Sequence, residues 1–233
     1  MGATVYIFMG GVKNCFLPNE EGVHRILRGP GQGIQILTNP VRGGTRVVLG
    51  LYEPCLMNWL LKVVRPGSVV YDIGSADGHE ALIAAQLAGP DGLVFAFEPS
   101  EDARRQLQAN LDLNPVLAGR IHVVPFFVGN QYDPDHGIVS IDKFYQQPER
   151  YAPAPDVVKI DVEGAELKVL EGMEELAHGQ CPHTFVECHL GLHVEKAVRS
   201  FFARHSILTQ RAVPSLFDVG RQDFNSWVWT VKN

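Results

Sequence analysis

The chain reads as an α/β protein built on a doubly wound, mostly parallel sheet, and three observations carry that reading. Short apolar, β-branched runs at residues 69–73, 93–97, 121–128 and 157–160 alternate with stretches whose apolar positions follow helical spacing. Acidic, glycine-punctuated turns close these runs, as in Asp72-Ile73-Gly74 and Asp161-Val162-Glu163-Gly164. Finally, runs 207–213 and 226–231 have no helical segment between them and suit an antiparallel pair closing the sheet.

Composition limits the function classes. With 233 residues and 45% apolar content, the chain can bury one sizeable core without disulfide or metal staples. A formal charge of -6 and no basic block argue against nucleic acid as a partner. Cys15, Cys55, Cys181 and Cys188 show no Cys-x-x-Cys spacing, which suits a reducing cytoplasm. The N-terminus lacks a basic leader region, and no run approaches the roughly 20 apolar residues of a membrane span, so neither secretion nor insertion is expected.

Taken in order, residues 4–51 alternate short apolar runs (5–8, 33–37, 46–49) with glycine-rich joints, which is hairpin chemistry. They are read as a β-rich appendage over residues 1–52, ahead of one domain over 53–233. Residues 53–64 form a helix that Arg65-Pro66-Gly67 ends, and strand 69–73 leads through its turn into a helix over 77–88. Strand 93–97 follows, then a helix over 101–113 with an acidic first turn, and a third strand over 121–128. A short strand is expected at 138–141, and residues 142–155, rich in Pro, Gln and Tyr, read as a loop, the tail of a looser stretch over 129–155 of the kind that forms lids or substrate walls. Strand 157–160 runs into a helix over 165–177. A fifth strand centred on 184–186 precedes a helix over 194–203 and the closing pair.

In such sheets ligands bind outside the carboxyl ends of the strands, where the acidic turns fall. The turn Asp72-x-Gly74-Ser75-x-x-Gly78 is by itself an ordinary strand-to-helix turn, but Glu98 lies about twenty residues beyond, at the end of the next strand, where a carboxylate accepts both ribose hydroxyls. The turn lacks Gly-x-Gly-x-x-Gly, and Asp72 would crowd a pyrophosphate with like charge. A cationic nucleoside such as S-adenosylmethionine fits instead. Lys159 is out of place in an apolar strand and needs a partner or a task. Period-two alternation puts Lys159 and Asp161 on one face and Glu187 and His189 on one face of the neighbouring strand. One reading is a structural ion-pair cluster. The other is activation of an acceptor hydroxyl, with His189, or Lys159 if burial lowers its pKa, as the base. A divalent ion on Asp161, Glu187 and His189 is the open alternative, less favoured. Glu163 suits either the helix dipole or a substrate contact, while Glu166 and Glu171 read as a solvated face. The spacings of Cys181, His183, Cys188, His189 and His193 match no structural zinc pattern.

Five segments together resemble the FkbM-type methyltransferases: Val69-Val70-Tyr71-Asp72-Ile73-Gly74-Ser75-Ala76-Asp77-Gly78, Phe97-Glu98-Pro99-Ser100, Ser140-Ile141-Asp142-Lys143-Phe144, Val158-Lys159-Ile160-Asp161-Val162-Glu163-Gly164-Ala165-Glu166, and Phe185-Val186-Glu187-Cys188-His189. The resemblance runs from about residue 51 to the C-terminus. Two departures are His79, where an aromatic is more usual, and the variant turn Ser75-Ala76-Asp77. The resemblance implies an S-adenosylmethionine-dependent O-methyltransferase with the seven-stranded, Rossmann-like class I sheet, its last strand antiparallel. It also implies that Asp72, Gly74, Ser75 and Gly78 hold the methionine end, that Glu98 with Pro99 and Ser100 holds the ribose, that Val128 lies by the adenine, and that Glu53 closes over the cofactor. The acceptor would be a hydroxyl of a small secondary metabolite or a carbohydrate. Competing readings are a catalytically inactive cofactor-binding scaffold serving as an assembly partner and, more distantly, a nicotinamide oxidoreductase. The apolar N-terminal strands could also pair two copies into a homodimer.

Overall fold

A computed structural model describes residues 21–39, 44–147, 152–189, 191–212 and 226–231. The expected run 5–8 and Cys15 lie outside them. The chain opens with a hairpin, β1 (Gly22–Arg25) and β2 (Gln35–Thr38), followed by α1 (Thr45–Val48) and α2 (Pro54–Val63). Then come β3 (Val69–Ile73), α3 (His79–Ala88), β4 (Leu93–Phe97), α4 (Glu101–Asp112), α5 (Pro115–Ala118), β5 (Ile121–Val124), β6 (Phe127–Val128), β7 (Ile138–Val139) and α6 (Ile141–Tyr145). The second half holds β8 (Val157–Ile160), α7 (Glu166–Glu171), α8 (Glu174–Gln180), β9 (His183–Cys188), α9 (Leu192–Arg204), β10 (Leu208–Ala212) and β11 (Ser226–Val231).

Seven strands form one sheet in the order β10-β11-β9-β8-β3-β4-β5. All neighbouring pairs from β9 to β5 are parallel, and β11 lies antiparallel between β9 and β10. From β3 the chain winds outward through β4 and β5, then returns to β8 on the other side. The order therefore reverses between β3 and β8, where such sheets open a ligand crevice at their carboxyl ends.

Strand pleating sends successive side chains to opposite faces, and each face has its own core. Val70, Val94, Val157 and Phe185 pack with α2, α3 and the hairpin residues Ile26, Ile34 and Ile36. Tyr71, Phe95, Phe97, Val158 and Ile160 pack with Phe144, Val169 and Phe202 on the other side. The hairpin is tied down further by Asn110 of α4, which accepts from Leu37 N at 2.8 Å and donates to Asp77 O at 2.8 Å. No described helix is long and apolar enough to cross a membrane.

Four expected elements come out differently. Residues 46–49 lie in the short helix α1 and the turn after it rather than in a strand, because a short apolar run satisfies either period. The expected strand 121–128 breaks at Pro125, which has no N–H for the ladder, and β6 pairs with β7 in a separate two-stranded sheet. Within the expected loop 142–155, residues 142–145 belong to α6. The expected helix 165–177 divides at Gly172, where a Cβ would stand 1.9 Å from Gly129 O, so helix and loop backbones meet there.

Candidate active site

The end of β3 is shaped by Gly74, whose φ is +80° and whose Cβ, were there one, would lie 1.8 Å from Asp161 O. That close approach brings the ends of β3 and β8 together. Gly74 N and Ser75 N both donate to Phe97 O, at 3.0 and 3.1 Å, so the turn also leans on β4. Glu98 is 7% exposed and accepts from Ala76 N at 2.9 Å and Ser100 N at 2.8 Å, one amide per carboxylate oxygen. Each oxygen keeps a lone pair for a ligand hydroxyl. Ser75 is fully buried, and its Oγ has no hydrogen-bond partner among the described residues. Gly78 holds φ +81° where α3 begins, with Leu107 close behind it. An orphaned hydroxyl, free carboxylate lone pairs and a glycine turn make a fitting cradle for a polar nucleoside-type ligand.

Beside this turn opens a cleft of about 290 Å³. Of the residues expected at the cofactor, Gly74, Glu98, Pro99 and Val128 line it. The others stand behind the wall. Asp72 is buried beneath the turn, Ser100 accepts from Ala103 N as the cap of α4, and Glu53 precedes α2 in a left-handed conformation with φ +40°. Phe126, Phe127 and Val162 also face the cleft. Phe127 is 63% exposed, which marks an open apolar rim.

Asp161 and Glu163 form the opposite wall. Register explains the gathering there: Asp72 is the cross-strand partner of Lys159, and Lys159 of Phe185, so Asp72, Lys159, Asp161, Glu187 and His189 share one side of the sheet. Lys159 Nζ lies 3.1 Å from Asp72 Oδ1 and 3.7 Å from Asp161 Oδ2, and donates to Gly74 O at 2.9 Å. Burial alone would lower its pKa, but Asp72, Asp161, Glu80 and Glu53 outweigh it and hold the ammonium well above its ordinary value. That direction favours the cationic form of Lys159 and runs against the reading in which burial frees it as a base. Burial pushes Asp72 up to about 6, with Lys159 opposing.

His189 is 6% exposed. Its Nδ1 meets Glu166 Oε1 at 2.6 Å, while Nε2 faces Asp161, Glu163 and Glu187 at 3.5, 3.7 and 3.8 Å. Burial would lower its pKa, but the Glu166 bond and the Asp161, Glu187 and Glu163 charges raise it to about 9. At neutral pH the ring is an imidazolium and not a free base. Glu166 is the residue the sequence reading misplaces: it is 1% exposed rather than on a solvated face, and it also accepts from Gly164 N and His189 N. Its signal was its place in the first turn of α7, two residues after a glycine and directly above a strand end. Glu171 is exposed as expected. Cys188 is buried in the core on the other face, away from the cluster.

Comparison with known proteins bears on the family and the fold. The model of the methyltransferase FkbM domain matches residues 72–208. The hexuronic acid methyltransferase AglP of Haloferax volcanii is 31% identical over an alignment of 159 positions that covers 60% of this chain and 64% of that protein. The chain thus spans somewhat under two thirds of that relative. Among solved structures, a precorrin-6y C5,15-methyltransferase from Geobacter metallireducens superposes with a TM-score of 0.52 at 17% identity, over 76% of this chain and 86% of that one. Aeropyrum pernix fibrillarin with natively bound S-adenosyl-L-methionine superposes with a TM-score of 0.51 at 14% identity, over 90% and 98%. These two share the fold: the seven-stranded, Rossmann-like sheet of class I S-adenosylmethionine-dependent methyltransferases. With the domain match covering more than half of its length, the chain belongs to the FkbM methyltransferase family.

Proposed function

We propose that the protein transfers the methyl group of S-adenosylmethionine to an oxygen of a small-molecule or carbohydrate acceptor. The observation that carries this reading is one cleft with two unlike walls: the Gly74 turn with Glu98 on one side, and Asp161 and Glu163, backed by Glu187 and His189, on the other. The relative that acts on a hexuronic acid, a sugar rich in oxygen nucleophiles, supports the acceptor class. Residues 53–233 are the catalytic unit in this reading, and residues 1–52 its appendage.

When bound, S-adenosylmethionine supplies an electrophilic methyl on a sulfonium. Glu98 would take the ribose hydroxyls, the turn from Asp72 to Gly78 the methionine end, and the apolar rim at Phe127 and Val128 the adenine. Lys159 acts as a positioning residue, neutralising Asp72 and holding Asp161 at the mouth of the cleft. The carboxylates around His189 orient the acceptor and receive the proton its oxygen loses. Most of the acceleration in such a displacement comes from alignment, which a rigid cleft between two strand ends provides.

A thermal-shift series with S-adenosylmethionine, its demethylated product and NAD tests the reading. At about one hundred times the dissociation constant, the first two should raise the melting temperature by roughly 5 °C or more. Replacing Glu98 with Gln should shrink that rise. Stabilisation by NAD alone would sink the assignment.

A further inference from the structure

We propose that Asp161, Glu187 and His189 form a divalent-cation site on the wall of the cleft, with open positions for the acceptor oxygen. One ligand atom from each of the three lies within 4.8 Å of the others. Donors about 2.1 Å from a common ion stand roughly 3 to 4 Å apart. The distances of 3.5 Å from Nε2 to Asp161 and 3.8 Å to Glu187 already fall in that range, so small side-chain rotations close the set.

A second observation points to a ligand. His189 is more than nine-tenths buried, yet Nε2 makes no hydrogen bond among the described residues, although three carboxylates surround it. The Nδ1 contact to Glu166 is a short bond of 2.6 Å, whereas every Nε2 contact stays at 3.5 Å or more. A ring whose far nitrogen is fixed by a buried carboxylate, with its near nitrogen facing three carboxylates at 3.5 to 3.8 Å, is the arrangement in which histidine ligands are oriented for metals. Charge agrees. Asp161, Glu163, Glu166 and Glu187 surround one imidazole, and the nearby Lys159 is shared with Asp72.

One imidazole and two carboxylates suit a first-row transition dication such as Mn²⁺, which accepts nitrogen as well as oxygen, better than an all-oxygen ion such as Ca²⁺. The catalytic half of the inference rests on the methyl-transfer reading, but the site itself does not. In that half, the cation takes the acceptor hydroxyl and acidifies it. Glu163, 87% exposed at its side chain and lining the cleft, receives the proton. The oxygen–methyl bond forms as the sulfur–methyl bond breaks, and the bonding pair remains on sulfur as a neutral thioether.

The test is titration of the chelator-treated full chain with Mn²⁺, followed by the electron paramagnetic resonance of the free ion. One equivalent should bind, and Glu187→Gln and Asp161→Asn should each weaken binding about tenfold or more. Because either variant could misfold, a variant-free measurement accompanies them: substoichiometric Mn²⁺ should broaden the His189 ring resonances of the unaltered protein before any other histidine. No binding up to about 1 mM Mn²⁺, or broadening that spares His189, overturns the site. The S-adenosylmethionine thermal shift is repeated in excess chelator. Stabilisation without Mn²⁺ binding removes the cation site alone, whereas Mn²⁺ binding without stabilisation supports the site and removes the donor reading.

Discussion

Glu166 sets the state of His189. Its Oε1 stands 2.6 Å from Nδ1, and this bond is the largest of the influences that raise the ring to about 9. Glu166→Gln keeps the shape and removes the charge, so in metal-free protein the His189 midpoint followed by NMR should fall from near 9 toward the ordinary 6.5. A midpoint unmoved by the substitution would mean that Asp161, Glu163 and Glu187 alone hold the proton. Lys159 could be singled out in the sequence because a charge inside an apolar strand has no ordinary explanation, and alternation then placed Asp161, Glu187 and His189 beside it. Glu166 could not. On a helical wheel it resembles Glu171, and only the docking of α7 over the end of β9 buries one and exposes the other.

At the scale of elements, the segment between β7 and β8 supplies none of the described residues that line the cleft; it anchors a neighbouring helix instead. Asp142 in α6 accepts from Glu175 N at 2.8 Å and Leu176 N at 2.9 Å, satisfying two amides of the first turn of α8 from a different element. Burial raises the Asp142 pKa against those two bonds. Asp142→Ala should therefore cost about 2 kcal/mol, read as a lower denaturant midpoint with unchanged slope, and Asp142→Asn should recover part of it. An effect below about 0.5 kcal/mol would show that α8 does not depend on this cap. The strands of the main sheet were legible because buried parallel strands read as apolar runs bounded by turns. The cap was not, since it joins residues more than thirty apart. Pro125 and Gly172 mark the breaks between β5 and β6 and between α7 and α8. Only the packing of Gly172 against Gly129 shows that the second is a true interruption.

For the whole molecule, the shifted groups give the two sides of the pH profile different characters. On the acid side the contributions oppose one another. Glu80, which burial would raise but the His79 bond lowers to about 2, contributes stability above the ordinary carboxylate range that is lost as pH falls through its folded value. Asp72, raised to about 6 by burial, contributes the opposite slope between 3.8 and 6. On the alkaline side the signs agree. Burial pushes the Cys188 thiol up to about 12 and raises Tyr71. His79, His189 and Lys159 are raised by their acidic neighbours against burial. Each of these groups holds its proton longer in the folded state, so each loses stability as pH climbs from its unfolded to its folded value. For His189 the interval runs from 6.5 to about 9 and corresponds to on the order of 3 kcal/mol. In excess chelator the melting temperature should fall steadily from about pH 6.5 upward. His189→Asn should make the fall up to pH 9 shallower, leaving the part that His79 contributes, and keep the steeper decline above it, where Cys188 and Tyr71 take over. A profile level between 6.5 and 9 in the unaltered protein would show that the carboxylates around Nε2 do not hold its proton, and with it would go the picture of a cluster carrying more negative charge than its own side chains neutralise.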